Sequence, residues 1–236
     1  MHCIECPPAE GGHAEPAIEA GVAGRSARAE YKRRVAKRDA AITERWGIGF
    51  KAKVVRALTD EPQSTRAWAN GAAGEEKLAA ELATVSGLRT LHDRRAPGTR
   101  GNIDHIVIAP AGVFVVDAKN HRGMVEIRNR GWFLRPDYRL TVGRRDCSAI
   151  ADNMGWQVEA VLAALRAASV DPLPRVTPVL CFLEAEWPLF GAPDEFHGVR
   201  LEGPRSIKRL LTSSTILDDI AADRMTSVLS SALPPK

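Results

Sequence analysis

Asp104, Asp117 and Lys119 are the residues whose types and spacing could do chemistry. Side chains alternate faces along a strand, so in the apolar run 113–119 Asp117 and Lys119 point to one side. The preceding run, 103–109, carries Asp104 among Ile103, Ile106, Val107 and Ile108. Pro110-Ala111-Gly112 is short enough for the two runs to pair as a hairpin. Counted back from that turn, Asp104 and Asp117 reach the same level on adjacent strands. Facing carboxylates repel unless a cation lies between them, and an oxygen-only donor pair suits a hard divalent ion, Mg²⁺ with Mn²⁺ as a substitute. Such an ion acidifies its bound water and polarises a phosphate, which is what phosphodiester hydrolysis requires. Lys119 could orient or deprotonate that water, or neutralise charge on the phosphate. A lone Asp-x-Lys is usually a surface salt bridge, so the companion carboxylates carry the argument.

The elements that must position these residues read as an α/β core. A helix over 75–85 shows Leu78, Ala79, Leu82 and Val85 on one stripe. Glu75, in its expected first turn, lies on that inward face and is the acid best placed to join the two aspartates, where the helix dipole favours a negative charge. Glu76 is rotated away. Strands are expected over 88–93, 103–109 and 113–119, then a strand pair over 125–130 and 132–135 around Gly131. One long helix over 148–168, a buried strand over 176–183, an edge strand over 199–201 and two short helices over 206–211 and 217–229 follow. This order predicts a sheet with helices packed on its faces. Run 113–119 is apolar on both sides, so layers must cover it above and below.

Three blocks, Gly71-Ala-Ala-Gly-Glu75, Gly101-Asn-Ile-Asp104-His-Ile-Val and Gly112-Val-Phe-Val-Val-Asp117-Ala-Lys119-Asn-His-Arg-Gly123, resemble the nuclease-related domain, NERD. That family belongs to the restriction-endonuclease-like superfamily with the PD-(D/E)xK signature. The resemblance spans 71–183 and implies a mixed β-sheet core flanked by helices, with Glu75, Asp104, Asp117 and Lys119 in catalytic positions. It also implies a place near the site for Gln157, whose plain alternative is a hydrogen bond within its helix. Ile103 stands where the signature has proline, and Asp117 where glutamate is frequent.

Beyond the nuclease-like region (70–236), residues 1–24 lack periodicity and read as an unstructured tail. Residues 25–69 read as a basic helical extension, with Arg25, Arg28, Lys32, Arg33 and Lys37 among its cations. Beside a nuclease, that helix and Arg122 are candidate phosphate contacts, although solvated charge is the ordinary reading. The formal charge of +4 and pI near 9.0 permit a nucleic-acid partner, DNA ahead of RNA. His105 points away from Asp104 and reads as a packed histidine. Cys3 and Cys6 give half of a zinc-knuckle spacing, and the four cysteines form no disulfide framework. With no secretion-signal layout at the start and no apolar run long enough to span a bilayer, a cytoplasmic protein without membrane contact is expected.

Overall fold

The computed structural model describes residues 18–99 and 101–236. Helices α1 (Arg25–Trp46), α2 (Phe50–Leu58) and α3 (Gln63–Leu82) precede strands β1 (Arg89–Arg95), β2 (Asn102–Ala109) and β3 (Gly112–Asn129). Strands β4 (Tyr138–Val142) and β5 (Arg145–Asp146) lead to helices α4 (Ser148–Asp152) and α5 (Gly155–Ala167). Then come β6 (Val176–Glu186), β7 (Glu195–Phe196), β8 (Val199–Glu202), α6 (Pro204–Leu211) and α7 (Asp219–Ala232). The eight strands form one mixed sheet, ordered β1-β2-β3-β6-β8-β7, with β4 and β5 hung on β3. β3 pairs antiparallel with β2 and parallel with β6. The architecture is the restriction-endonuclease-like α/β fold that the three sequence blocks imply.

The double-sided apolar pattern of β3 has its consequence in two core layers. Val113 and Val115 join Ile106, Ile108, Val161, Leu165 and Leu229 on one face of the sheet. Phe114, Val116 and Ala118 join Leu78, Leu82, Val107 and Ile207 on the other. Polar groups on a strand so enclosed can surface only where the layers end, which is where Asp117 and Lys119 sit.

Several boundaries differ from expectation for identifiable reasons. α3 starts at Gln63, after Pro62, and runs unbroken through Gly71 and Gly74; Glu75 therefore lies in mid-helix, and the first-turn dipole argument for it fails. Packing of α3 against α1 and β3 holds the helix through them, with Gly74 against Asn120 and Leu183 and Gly71 in open space. β3 continues through Gly123, whose φ of 108° and close approach to Gly143 exclude a side chain. The partner of its far half is β4, and residues 132–135 form the turn between them. The expected helix over 148–168 breaks at Asn153–Met154 into α4 and α5. β8 is not the edge strand, because β7 pairs outside it.

Residues 1–17 of the expected tail, with Cys3 and Cys6, lie outside the described residues. Residues 18–24 are held: the His92 amide donates to the Ala20 carbonyl at 2.7 Å. Arg94, fully buried, donates from its guanidinium to the carbonyls of Glu19, Ser230 and Leu233. One side chain thus ties the segment before α1 and the end of α7 to β1. Among the described residues no helix is long and apolar enough to cross a membrane, and Cys147 and Cys181 are free and buried.

Replacing Arg94 with Met strands buried carbonyl acceptors. It should lower stability by about 3 kcal/mol or more. A urea midpoint that falls at constant m-value is the expected result; an unchanged midpoint would show that the clamp contributes nothing.

Candidate active site

The antiparallel register of β2 and β3 runs to His105 opposite Val116, so the next pair outward is Asp104 and Asp117. Residues directly opposed across such a ladder project to the same face. The two carboxyls lie within hydrogen-bond reach of each other. Burial, then the charges of Asp117 and Glu75, push the Asp104 pKa well above the usual carboxylate range. Lys119, two residues along β3, donates its ammonium to Asp117 Oδ1. Burial alone would lower the Lys119 pKa, but the carboxylates of Asp117 and Asp104 outweigh it and the net shift is upward. Lys119 is therefore charged.

Glu75 approaches from α3, on the other side of the sheet's end. Burial and the neighbouring Asp93 charge push its pKa up to about 7, against the opposing pull of the Gly24 amide, which donates to Oε2 at 3.0 Å. The approach depends on a small residue at one point: a β-carbon at Gly24 would lie 2.8 Å from the Ala72 carbonyl. Gly24 also has φ 73°, so the residue that caps Glu75 must be glycine on two counts.

Asp93 was not singled out by sequence reasoning, which saw only a strand end. It is fully buried, in a left-handed conformation with φ 50°. Its carboxylate accepts from the Ser26 amide at 2.7 Å, from the Ser26 hydroxyl, and from Asn102 Nδ2 at 2.8 Å. Asn102 Nδ2 also donates to Asp104 Oδ1 at 3.3 Å, which links Asp93 to the site through one amide. No local pattern announces this, because β1 and the start of α1 meet only in the fold.

A cavity of about 860 Å³ opens over these groups, lined by Glu75, Asp104, Lys119, Asn120, His121 and Arg145, and by Arg25 and Arg33 of α1. Between Lys119 and Arg122, β3 carries one residue more than β6, a bulge that re-aims side chains. In consequence the consecutive residues Asn120 and His121 both line the cavity. Asn120 Oδ1 and His121 Nε2 are buried there without a hydrogen-bond partner. Burial, then Arg145, lowers the His121 pKa, leaving a neutral imidazole.

The other candidate residues divide. Gln157 is buried in α5 with Nε2 toward Met154 Sδ at 3.7 Å, and it does not line the cavity. His105 is fully buried and shares a 2.8 Å Nδ1–Nδ1 hydrogen bond with His92. Arg28 binds Glu76, Arg33 binds Glu30 and Arg122 binds Glu184, all at exposed positions. Lys32 and Lys37 are exposed on α1. Exposed pairs of this kind are worth roughly 0–1 kcal/mol, so the arginines can exchange partners.

Residues 70–183 match the family model of the nuclease-related domain. The chain carries a NERD domain. This places it in the restriction-endonuclease-like superfamily. No curated protein and no solved structure matches the chain. The matched span begins inside α3, so Gly24 and Ser26, which cap Glu75 and Asp93, lie outside it.

Two outcomes follow from the charge balance. A carboxyl with a folded pKa of about 7 and an unfolded value of 4.5 binds more protons folded than unfolded between those limits. Its contribution to stability therefore declines as the pH rises through that window. Glu75→Gln removes the decline, so the variant should gain on the parent in urea midpoint between pH 5 and pH 8 without divalent ions; parallel pH profiles would contradict the assignment. Lys119→Met leaves Asp117 uncompensated and should destabilise, and adding Asp117→Asn should recover much of the loss. A double-mutant cycle should give a coupling of about 1–3 kcal/mol; strict additivity would mean the pair is not coupled.

Proposed function

We propose that the NERD domain hydrolyses phosphodiester bonds in nucleic acid, DNA ahead of RNA, with Mg²⁺ or Mn²⁺ as cofactor. The observation that carries this reading is the meeting of Asp104, Glu75 and Lys119 at one cavity within the nuclease-related span, with Asp117 against both Asp104 and Lys119. The donor chemistry fits a hard cation, since every acid contributes oxygen. Asp104 and Asp117 would hold the ion, and Glu75 would add a direct or water-mediated ligand. Among the described residues no three acidic, histidine or cysteine groups are already drawn together as a ligand set. What stands among them is the Lys119 ammonium, which donates to Asp117 Oδ1. When bound, a divalent ion supplies a more acidic water and charge stabilisation on the phosphate.

The chain's own residues have separable tasks. Lys119 keeps a full positive charge beside the acids, suited to holding an attacking water or the phosphate oxygens. Neutral His121, with its buried Nε2 unpartnered, can donate to or accept from a substrate oxygen. Arg25, Arg33 and Arg145 ring the cavity and supply a phosphate-binding rim. Asn102, braced by Asp93, donates to Asp104 Oδ1 and so positions that carboxyl.

One observation favours a second reading, a nucleic-acid- or protein-binding module on the nuclease fold: the lysine lies on Asp117 and no ligand triad is assembled. Incubation with plasmid DNA separates the two. The hydrolase should cut with Mg²⁺ or Mn²⁺ and not with EDTA. Asp117→Asn and Lys119→Met should each lower the rate by about 100-fold or more at retained circular dichroism. Binding without cleavage under every divalent ion would establish the module.

A further inference from the structure

The hairpin beyond the cavity has no part in the site just described. After the bulge, β3 runs on to Asn129 and returns through β4, Asn129 pairing with Tyr138 and Ile127 with Leu140. Its tip carries Trp132, Phe133 and Leu134, which are 80%, 91% and 76% exposed. Three consecutive large apolar side chains in water are unfavourable for a surface with no use for them.

The tip is also built. The Arg135 amide donates to the Trp132 carbonyl at 2.9 Å and closes the turn. Asn129 Oδ1 accepts from the amides of Gly131 and Asp137, both at 2.9 Å. A β-carbon at Gly131 would lie 2.1 Å from the Arg135 carbonyl oxygen, so glycine is required there. The aromatic rings are therefore presented on a fixed scaffold, which lowers the ordering cost of a contact.

Charge identifies the occupant. Arg128, Arg130, Arg135 and Arg139 flank the tip against only Glu126 and Asp137. Arg128 and Arg139 are paired with those two acids, at exposed positions where such pairs are weak. Aromatic faces for bases between cations for phosphates are the two parts of single-strand nucleic-acid binding. The hairpin also starts at the cavity wall: Lys119, Asn120 and His121 line the cavity and lie on the same strand. From Lys119 to Asn129 an extended strand reaches roughly 30 Å.

We propose that this hairpin is a nucleic-acid finger, in which Trp132 and Phe133 stack on unpaired bases while Arg130 and Arg135 hold the adjoining phosphates. The choice of nucleic acid rests on the nuclease reading, but the contact does not require cleavage.

The test uses the full chain in EDTA with fluorescein-labelled single-stranded DNA, so that binding is read without hydrolysis. Trp132→Ser with Phe133→Ser should weaken binding by about 10- to 100-fold while leaving the salt dependence unchanged. Arg130→Ser with Arg135→Ser should flatten the slope of log affinity against log salt by about 1.4. All four positions are exposed, so unfolding midpoints should not move, and that is checked alongside. Single-strand affinity within two-fold of the parent in the aromatic variant overturns the proposal. So does binding of phosphatidylserine vesicles, but not DNA, through Trp132, or conversion of a dimer to a monomer by the aromatic variant in sedimentation. Loss of cleavage at unchanged finger-dependent binding would count against the hydrolase alone; cleavage with finger-independent binding would count against the finger alone.

Discussion

Carboxyl groups crowded at the buried end of a sheet set the terms for everything near them. Each charge removed from water costs several kcal/mol unless something positive or hydrogen-donating replaces the solvent. Here the replacements can be named one by one. Asp104 takes the Asn102 amide, Asp117 takes the Lys119 ammonium, Glu75 takes the Gly24 amide, and Asp93 takes Ser26 and Asn102. The acids and their partners lie on α1, α3, β1, β2 and β3, so the site is a place where all five elements must arrive together. The apolar layers on either face of β3 supply the energy for that arrival, and the acids occupy the edge where those layers stop.

The segment ahead of the nuclease-related span is structural support for the site as well as a basic surface. Its backbone, at Gly24 and Ser26, reaches two acids, while its side chains at Arg25 and Arg33 line the cavity. The arginine rim is thereby fixed at the same point as the acidic floor. Arg94 anchors the chain just before α1, through Glu19, so displacement of that anchor would disturb both rim and floor.

How much of this was legible depends on sequence distance. Asp104, Asp117 and Lys119 belong to one hairpin with a short turn, so strand periodicity alone gave their common face. Glu75 was readable from the stripe that includes Leu78 and Leu82, yet the start of its helix was not. Gly71 and Gly74 look like breakers in a sequence, yet α3 runs through both of them while packed on α1 and β3. The continuation of β3 past residue 119 was likewise not legible, since it runs through Gly123, whose positive φ and close approach to Gly143 appear only in the fold. Asp93, Ser26 and Asn120 were invisible for a different reason. Their roles arise from contacts between distant elements or from a bulge, and no spacing rule encodes either. The basic helix was legible as a helix, but not that its N-terminal backbone, rather than its charge, reaches the acids.

The arrangement of sign over the cavity bears on what the domain is for. A phosphodiester is repelled by carboxylates, so a site evolved only to grip nucleic acid would gain from arginine and lysine and lose from Asp104, Asp117 and Glu75. The cavity instead gathers Glu75 and Asp104 with Lys119, Arg25, Arg33 and Arg145, and burial pushes the Glu75 pKa up to about 7 and the Asp104 pKa upward. Crowded carboxyls of this kind are unfavourable for folding and have value where protons or cations must be exchanged. That mixture is what the proposed phosphodiester hydrolysis would use and what a simple binding groove would avoid.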